Sequence, residues 1–360
     1  MARIFNFAAG PSTLPLPVLE QVQKDLVNYK SAGFSLIEAS HRGSHYSEVH
    51  AAAGAGLRKL LGLPDNYKVL WLQGGATLQF SMVPLNLLAG GKPADYTLTG
   101  TWAKKAIADA KKVGKVTVVF DGTEQKFMTL PKASAVKATA GATYLHLTSN
   151  ETIGGVQWQE WPQVGVPIVC DMSSDFLSRR IPLEKFGLIY AGAQKNLGPA
   201  GLAVVIIRDD MLAQCSEELT AYLSYKVHAG EDSLYNTPPV FPIWVSRLVI
   251  DYLNGNGGLP WVETLAQERS SLLYSMIAKH PNFYRCPVDA HCRSKMNVVW
   301  RLPTEDLEKQ FITEAKAAGM DGLKGHRSVG GCRASIYNAM PVEGAAALAD
   351  FMDKFARKHG

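Results

Sequence analysis

In the stretch LIYAGAQKNLGPAGLAVVIIR, residues 188–208, two apolar runs flank a turn that holds glycines, a proline and a single lysine, Lys195. Runs that are apolar throughout, without alternation, read as strands buried on both faces of a sheet. The turn between them therefore holds the Lys195 amine near the strand ends, away from any solvated helix face. An amine partly withdrawn from water has a lowered pKa and is a competent nucleophile toward carbonyl groups.

Upstream, the same kind of run recurs at KVLWL (68–72), ADYTLT (94–99), KVTVVF (115–120), TYLHLT (143–148) and PIVCD (167–171), separated by helical or turn segments. This alternation predicts an α/β domain with a mostly parallel sheet. Before the sheet, residues 16–32 and 44–61 read as helices. In the second, Tyr46, Val49, Ala53, Leu57 and Leu60 recur at steps of three and four, and Gly33 and Gly62 are the expected stops. A helix over 102–113 follows the second run. After residue 210 the pattern weakens, and NGNGG at 254–258 marks a break before a helix over 261–279. The remainder is α+β in texture. MNVVWRL (296–302) is strand-like, Thr304 caps a helix that Gly319 ends, and Pro341 opens a last helix with a stripe of Leu348, Phe351, Met352 and Phe355. The expected division is a large domain over 16–256 and a smaller one built from 1–15 and 257–360.

Ligands of such sheets bind beyond the carboxyl ends of the strands, so the residues that directly follow each run carry the chemistry. WLQGGATLQF (71–80) is a strand, two glycines and a helix start, a place where free N–H groups and the Thr77 hydroxyl receive an anion such as phosphate. It is neither GxGxxG nor GxxxxGK[ST], so it lacks the nicotinamide and nucleoside-triphosphate fingerprints. Trp102 follows the next run, Asn150 and Thr152 another, and Asp171 ends a third. A lysine amine, a carboxylate, a phosphate cup and a planar ring are together what pyridoxal 5'-phosphate requires.

Composition bounds the class. Of 360 residues, 47% are hydrophobic and 19% charged, and the net charge is +5 with no Lys/Arg block. That favours acidic small molecules over nucleic acid. No apolar run approaches the roughly 18 residues of a membrane span, and the N-terminus lacks a signal-peptide core, so a cytoplasmic address is expected. The five cysteines (Cys170, Cys215, Cys286, Cys292, Cys332) are odd in number and form no CxxC pair. Neither CPVDAHC (286–292) nor the pair His41 and His45 has the spacing and ligand count of a structural zinc site, and no metal is expected.

FNFAAGPSTLP (5–15), SHRGSHY (40–46), GGATLQF (74–80), NETIGG (150–155), GAQKNLGPAG (192–201), YNTPP (235–239) and GHRSVGGCRASIYNAMP (325–341) give the chain, over nearly its whole length, a resemblance to the phosphoserine aminotransferase family. That family is a class V branch of the pyridoxal-phosphate enzymes of fold type I. The resemblance implies transamination between 3-phosphohydroxypyruvate and L-glutamate, giving O-phospho-L-serine and 2-oxoglutarate in serine biosynthesis, with the phosphorylated four-carbon analogue of pyridoxine biosynthesis as a further substrate. It implies that Lys195 is the Schiff-base lysine, that Asp171 pairs with the pyridinium nitrogen, that Trp102 stacks on the ring and that Thr152 lies beside the ring hydroxyl. Ala76, Thr77 and Gln194 would hold the phosphate. Asn236 and Thr237 would reach the cofactor phosphate of a neighbouring subunit, which implies a homodimer with shared active sites. Arg333 would clamp the substrate α-carboxylate, while Arg42, His326 and Arg327, with His41 nearby, would receive the second anion. Some members carry an arginine in the first turn where this chain has Ala76-Thr77-Leu78, a departure that bears on one phosphate contact. Two alternatives stand beside this reading. One is another class V chemistry, a serine:glyoxylate aminotransferase or a cysteine desulfurase, for which Cys332 in GGCRAS is the nearest candidate nucleophile. The other is a non-catalytic metabolite-binding protein on the same scaffold, which should have lost Lys195 or Asp171; both are present.

Overall fold

A computed structural model describes the chain over residues 3–360. All seven apolar runs are strands of one sheet: β1 (Tyr67–Leu72), β2 (Pro93–Leu98), β3 (Lys115–Asp121), β4 (Leu145–Thr148), β5 (Ile168–Asp171), β6 (Phe186–Gly192) and β7 (Ala203–Arg208). Their order is β1-β7-β6-β5-β4-β2-β3, with β7 antiparallel to both neighbours and the other pairings parallel. Helices α1 (Leu16–Asp25), α2 (Ser44–Leu61), α3 (Gly75–Leu87), α4 (Thr101–Ala110) and α5 (Val240–Gly255) cover it. The absence of alternation in the strands has a direct cause. Val204 and Ile206 pack on the side of α2 and α5, whereas Val205 and Ile207 pack on the side of α3 and α4, so both faces are dry. The helix pair α2 and α5 lies so close that a methyl at Gly56 would come within 2.8 Å of Ile250 Cγ2.

The second core is smaller. Helix α6 (Gly258–Lys279) leads into strands β8 (Asn297–Trp300) and β9 (Cys332–Ser335), which pair antiparallel, with α7 (Glu305–Ala317) between them and α8 (Val342–His359) after them. Thr304 accepts the Leu307 N–H at 3.2 Å and caps α7. Leu348, Met352 and Phe355 of α8 are buried in this core, with Phe351 packed at its edge. The N-terminus joins it as well: Phe5–Asn6 pairs parallel with Met320–Asp321. Helix α6 belongs to both cores, through Leu259 and Val262 at its start and Leu273 and Ile277 near its end.

Three boundaries differ from expectation. Helix α1 ends at Asp25, short of residue 32, because the chain turns to bury Tyr29 edge-on against Trp244, 5.6 Å between centroids. The Asn28 side chain accepts the Gly33 N–H at 2.7 Å, and Lys30 and Ser31 take positive φ. Helix α4 stops at Ala110, where Val113 N–H turns back to the Ala110 carbonyl. Helix α6 begins three residues early, at Gly258, directly after Gly257 at φ +100°.

Candidate active site

Because β1, β2, β4, β5 and β6 run in one direction, the turns that follow them gather at one edge of the sheet, as the start of β7 does. They surround a cleft of about 510 Å³. Ala76, Thr77, Trp102, Thr152, Asp171 and Gln194 all line it, together with Lys195, His326 and Arg333.

The lysine is held on three sides. Its Nζ donates to Thr152 Oγ1 at 2.8 Å and lies 5.5 Å from the centroid of the Trp102 ring. The N-terminal segment clamps its backbone, with the Ser12 hydroxyl donating to the Lys195 carbonyl and the Ser12 N–H to that of Gln194. Burial brings the amine down to about 8; Asp171 and Glu151 oppose that drop and Arg333 adds to it. The amine therefore keeps a far larger neutral fraction near neutral pH than an ordinary lysine does.

Asp171 ends β5 fully inside the protein. Its Oδ1 accepts the Ser173 backbone N–H at 2.9 Å and the Ser173 hydroxyl at 2.6 Å, and Ser173 Oγ in turn accepts the Gly192 N–H, which ties the carboxylate to the end of β6. Burial raises its proton affinity, against the pull of Ser173 and Lys195. A cationic nitrogen in the cleft is the partner that such a carboxylate favours.

At the start of α3, Gly74 and Gly75 take φ +83° and +61°. No side chain caps this helix and its first turn holds no acid. The N–H groups of Gly75, Ala76 and Thr77 thus form a site for an anion. Helix α4 is treated differently. Its first turn is capped from afar by Glu151, which accepts the Trp102 N–H at 3.2 Å and the Ala103 N–H at 3.0 Å. Burial pushes the Glu151 carboxyl up to about 7, partly offset by those two bonds.

Arg333, on β9, enters the cleft from the smaller core. Its Nη1 donates to the Thr152 carbonyl at 3.2 Å, and its buried Nε has no partner. His326 carries a lowered pKa, from partial burial and then from Arg333 and Arg327. Five expected residues lie outside the single-chain cleft. His41 and Arg42 sit in the turn before α2, Arg42 exposed; Arg327 is exposed beside His326. Asn236 and Thr237 lie behind β1, where Asn236 Nδ2 donates to Gln73 Oε1 at 3.2 Å and Gln73 donates to the Thr237 carbonyl.

Three participants, Glu151, Ser173 and Asn297, escaped the sequence reading. Glu151 and Ser173 sit one or two residues from assigned positions. Asn150, which lines the cleft, joins the two cores by donating to Asn297 Oδ1 at 2.7 Å, and Asn297 donates to Ser335 Oγ and Tyr337 Oη. The signal for the first two was their place directly after strand ends; nothing local marks Asn297.

The sequence pattern of the family described as aminotransferase class-V matches residues 4–348. The phosphoserine aminotransferase of Laribacter hongkongensis is 53% identical over 357 residues, and that of Geobacillus kaustophilus 50% over 358, each covering 99% of both chains. The chain belongs to the phosphoserine aminotransferases of class V. Among solved structures, the phosphoserine aminotransferase of Bacillus circulans subsp. alkalophilus superposes with a TM-score of 0.97 at 48% identity over 99% of both chains. The pyridoxal-phosphate-bound enzyme of Trichomonas vaginalis gives 0.90 at 37%, covering 98% of this chain and 100% of that one. Phosphoserine aminotransferases are pyridoxal-phosphate-dependent transaminases of fold type I, and the mostly parallel sheet is that fold.

The cleft suits the cofactor of these aminotransferases on its own chemistry. It combines an amine near pKa 8, a buried carboxylate that wants a cation, an uncapped helix start and the unpartnered buried Nε of Arg333. Cys332 does not act as a desulfurase nucleophile: it is 2% exposed in the smaller core, and burial holds its thiol protonated.

Proposed function

We infer that the chain catalyses the reversible transamination of 3-phosphohydroxypyruvate with L-glutamate, producing O-phospho-L-serine and 2-oxoglutarate. The observation that carries this reading is the Lys195 amine, 2.8 Å from Thr152 Oγ1 in one cleft with Asp171 and Arg333. Pyridoxal phosphate, when bound, supplies the electron sink that acidifies the Cα–H of an amino acid. Ala76 and Thr77, with Gln194, would hold its phosphate, Trp102 its ring face and Asp171 its pyridine nitrogen. Neutral Lys195 takes the substrate's Cα proton on Nζ and gives it back on the other side of the transfer, as base and then acid. The Thr152 hydroxyl orients that nitrogen, and the Ser12 contacts to the Gln194 and Lys195 carbonyls fix the turn that carries it.

Both substrates share an α-carboxylate and carry a second anion. Arg333, with an unpartnered Nε, is suited to the first in each half-reaction. His41, Arg42, His326 and Arg327 supply basic groups for the second. Arg42, Asn236 and Thr237 lie away from their own chain's cleft, which supports a homodimer in which each subunit completes the other's site. Exposed apolar side chains support it further: Val27 is 80% exposed, Ile37 53%, and Tyr235, directly before Asn236, 48%. The large domain would span 16–256, and 1–15 with 257–360 the smaller one. Five free thiols suit a reducing cytoplasm.

The test is a coupled assay of purified protein with phosphoserine and 2-oxoglutarate, run beside the phosphorylated four-carbon amino acid and beside serine with glyoxylate. Turnover of phosphoserine is expected. Turnover of serine with glyoxylate and none of phosphoserine would overturn the reading.

A further inference from the structure

Glu151 is a buried carboxylate beside the cleft, 1% exposed, and the transamination reading gives it no part. It sits on the two-residue strand Asn150–Glu151, paired with Val156–Gln157, directly before Thr152, the residue that bonds Lys195 Nζ. Its two oxygens divide between two donors. Oε2 accepts the Trp102 N–H and Oε1 the Ala103 N–H, the second and third N–H groups of α4. The residue at the usual capping position of that helix is Gly100, which has no side chain to offer. Its lack of a side chain matters for a second reason. A methyl at Gly100 would come within 2.5 Å of Glu151 Cδ and 2.6 Å of Oε2, so only glycine lets the carboxylate reach the helix start.

The consequence is a mechanical link. Strand end 150–152 holds the lysine through Thr152 and the tryptophan through Glu151, and the ring centroid of Trp102 stands 5.5 Å from Lys195 Nζ. Helix α3, which also starts at the cleft, lacks such an anchor: it begins with no side-chain cap, its N–H groups left for a ligand. A carboxylate that occupies the start of α4 keeps that helix from competing for the anion and fixes the first-turn residue that faces the lysine.

We propose that Glu151 is the positioning residue of the cofactor ring site: by binding the Trp102 and Ala103 N–H groups through the gap left by Gly100, it sets where the Trp102 ring stands relative to Lys195. This rests on the reading of Trp102 as the ring-stacking residue. Three variants address it: Glu151→Gln, which keeps the shape and one good acceptor; Glu151→Ala, which removes both; and Gly100→Ala, which pushes on the same carboxylate from the opposite side. The readouts are the visible circular dichroism of bound pyridoxal phosphate, which reports ring orientation, and the cofactor dissociation constant by absorbance titration. Melting temperature of the cofactor-free protein is measured in parallel.

Loss of the Glu151 cap should weaken cofactor binding about fivefold to tenfold. Glu151→Ala and Gly100→Ala are expected to show that loss with a diminished or inverted dichroic band, and Glu151→Gln to lie between them and the parent. A lowered melting temperature with an unchanged band and unchanged affinity in all three would overturn the proposal, because capping alone predicts that pattern. Failure of all three to fold would overturn it too, by making the carboxylate a determinant of the fold. If the parent protein itself binds no pyridoxal phosphate, the transamination reading fails instead, a different outcome from a parent that binds and variants that match it.

Discussion

Arg333→Ala separates a carboxylate clamp from a bystander cation. In the structure the side chain has one protein contact, Nη1 to the Thr152 carbonyl at 3.2 Å, and a buried Nε with none. Its guanidinium has a lowered pKa because of burial, so its charge lacks the solvent and the acid that a structural arginine would have. A charge-assisted contact to a carboxylate is worth about 1.5 to 3 kcal/mol, or roughly tenfold to 150-fold in binding. Stopped-flow measurement of each half-reaction alone should therefore show that loss for L-glutamate and, by the same factor within about threefold, for phosphoserine, since one clamp serves both. A second readout is independent of turnover. Arg333 is one of the charges that hold Lys195 down, so its removal should move the lysine's titration in cofactor-free protein toward higher pH. Affinities for both substrates within threefold of the parent would refute the clamp, and a loss confined to one substrate would assign Arg333 to the second anion instead.

Asp171→Asn should lower kcat at least tenfold more than it weakens cofactor binding, since an amide leaves the other contacts in place but cannot stabilise a protonated ring nitrogen; comparable losses in absorbance titration and steady-state rate would contradict this. In cofactor-free protein, Lys195 should react with an amine-directed reagent in a way that rises with pH and levels off above a midpoint near 8, because the neutral form is the nucleophile, whereas a midpoint near the ordinary lysine value of 10.5 would remove the argument for a desolvated amine. If the proposed homodimer buries Val27 and Ile37, Val27→Asp combined with Ile37→Asp should convert it to monomers and cost activity in sedimentation and assay together; an unchanged mass would remove these two side chains from the interface. Thr304→Ala should cost about 1 kcal/mol of stability with unaltered kinetics, because its hydroxyl caps α7 far from the cleft.

What the sequence makes legible follows the length scale of each cause. The strands are visible because burial on both faces forces an unbroken apolar run, and the positions of Lys195, Asp171, Thr77 and Trp102 are visible because each ends such a run or lies in the turn or helix start that comes after it. Residues that depend on distant partners are not. Helix α1 continues its apolar spacing in sequence past Asp25, yet the chain leaves the helix because Trp244, more than 200 residues on, offers Tyr29 a buried edge. Glu151 reads locally as one polar residue in a turn, and its part appears only when the start of α4 is laid beside it. The link from Asn150 through Asn297 to Ser335 and Tyr337 is of the same kind, since no spacing within NETIGG or MNVVWRL points to the other.

Lys195 is proposed as the amine that captures pyridoxal phosphate and shuttles the proton. Borohydride trapping of the bound cofactor, followed by proteolysis and mass spectrometry, tests it with the fewest intermediate steps. The pyridoxyl label is expected on the peptide that contains GAQKNLGPAG, at Lys195, with Lys195→Ala folded and unlabelled. A label on any other lysine, or an Ala variant that retains turnover, would contradict it.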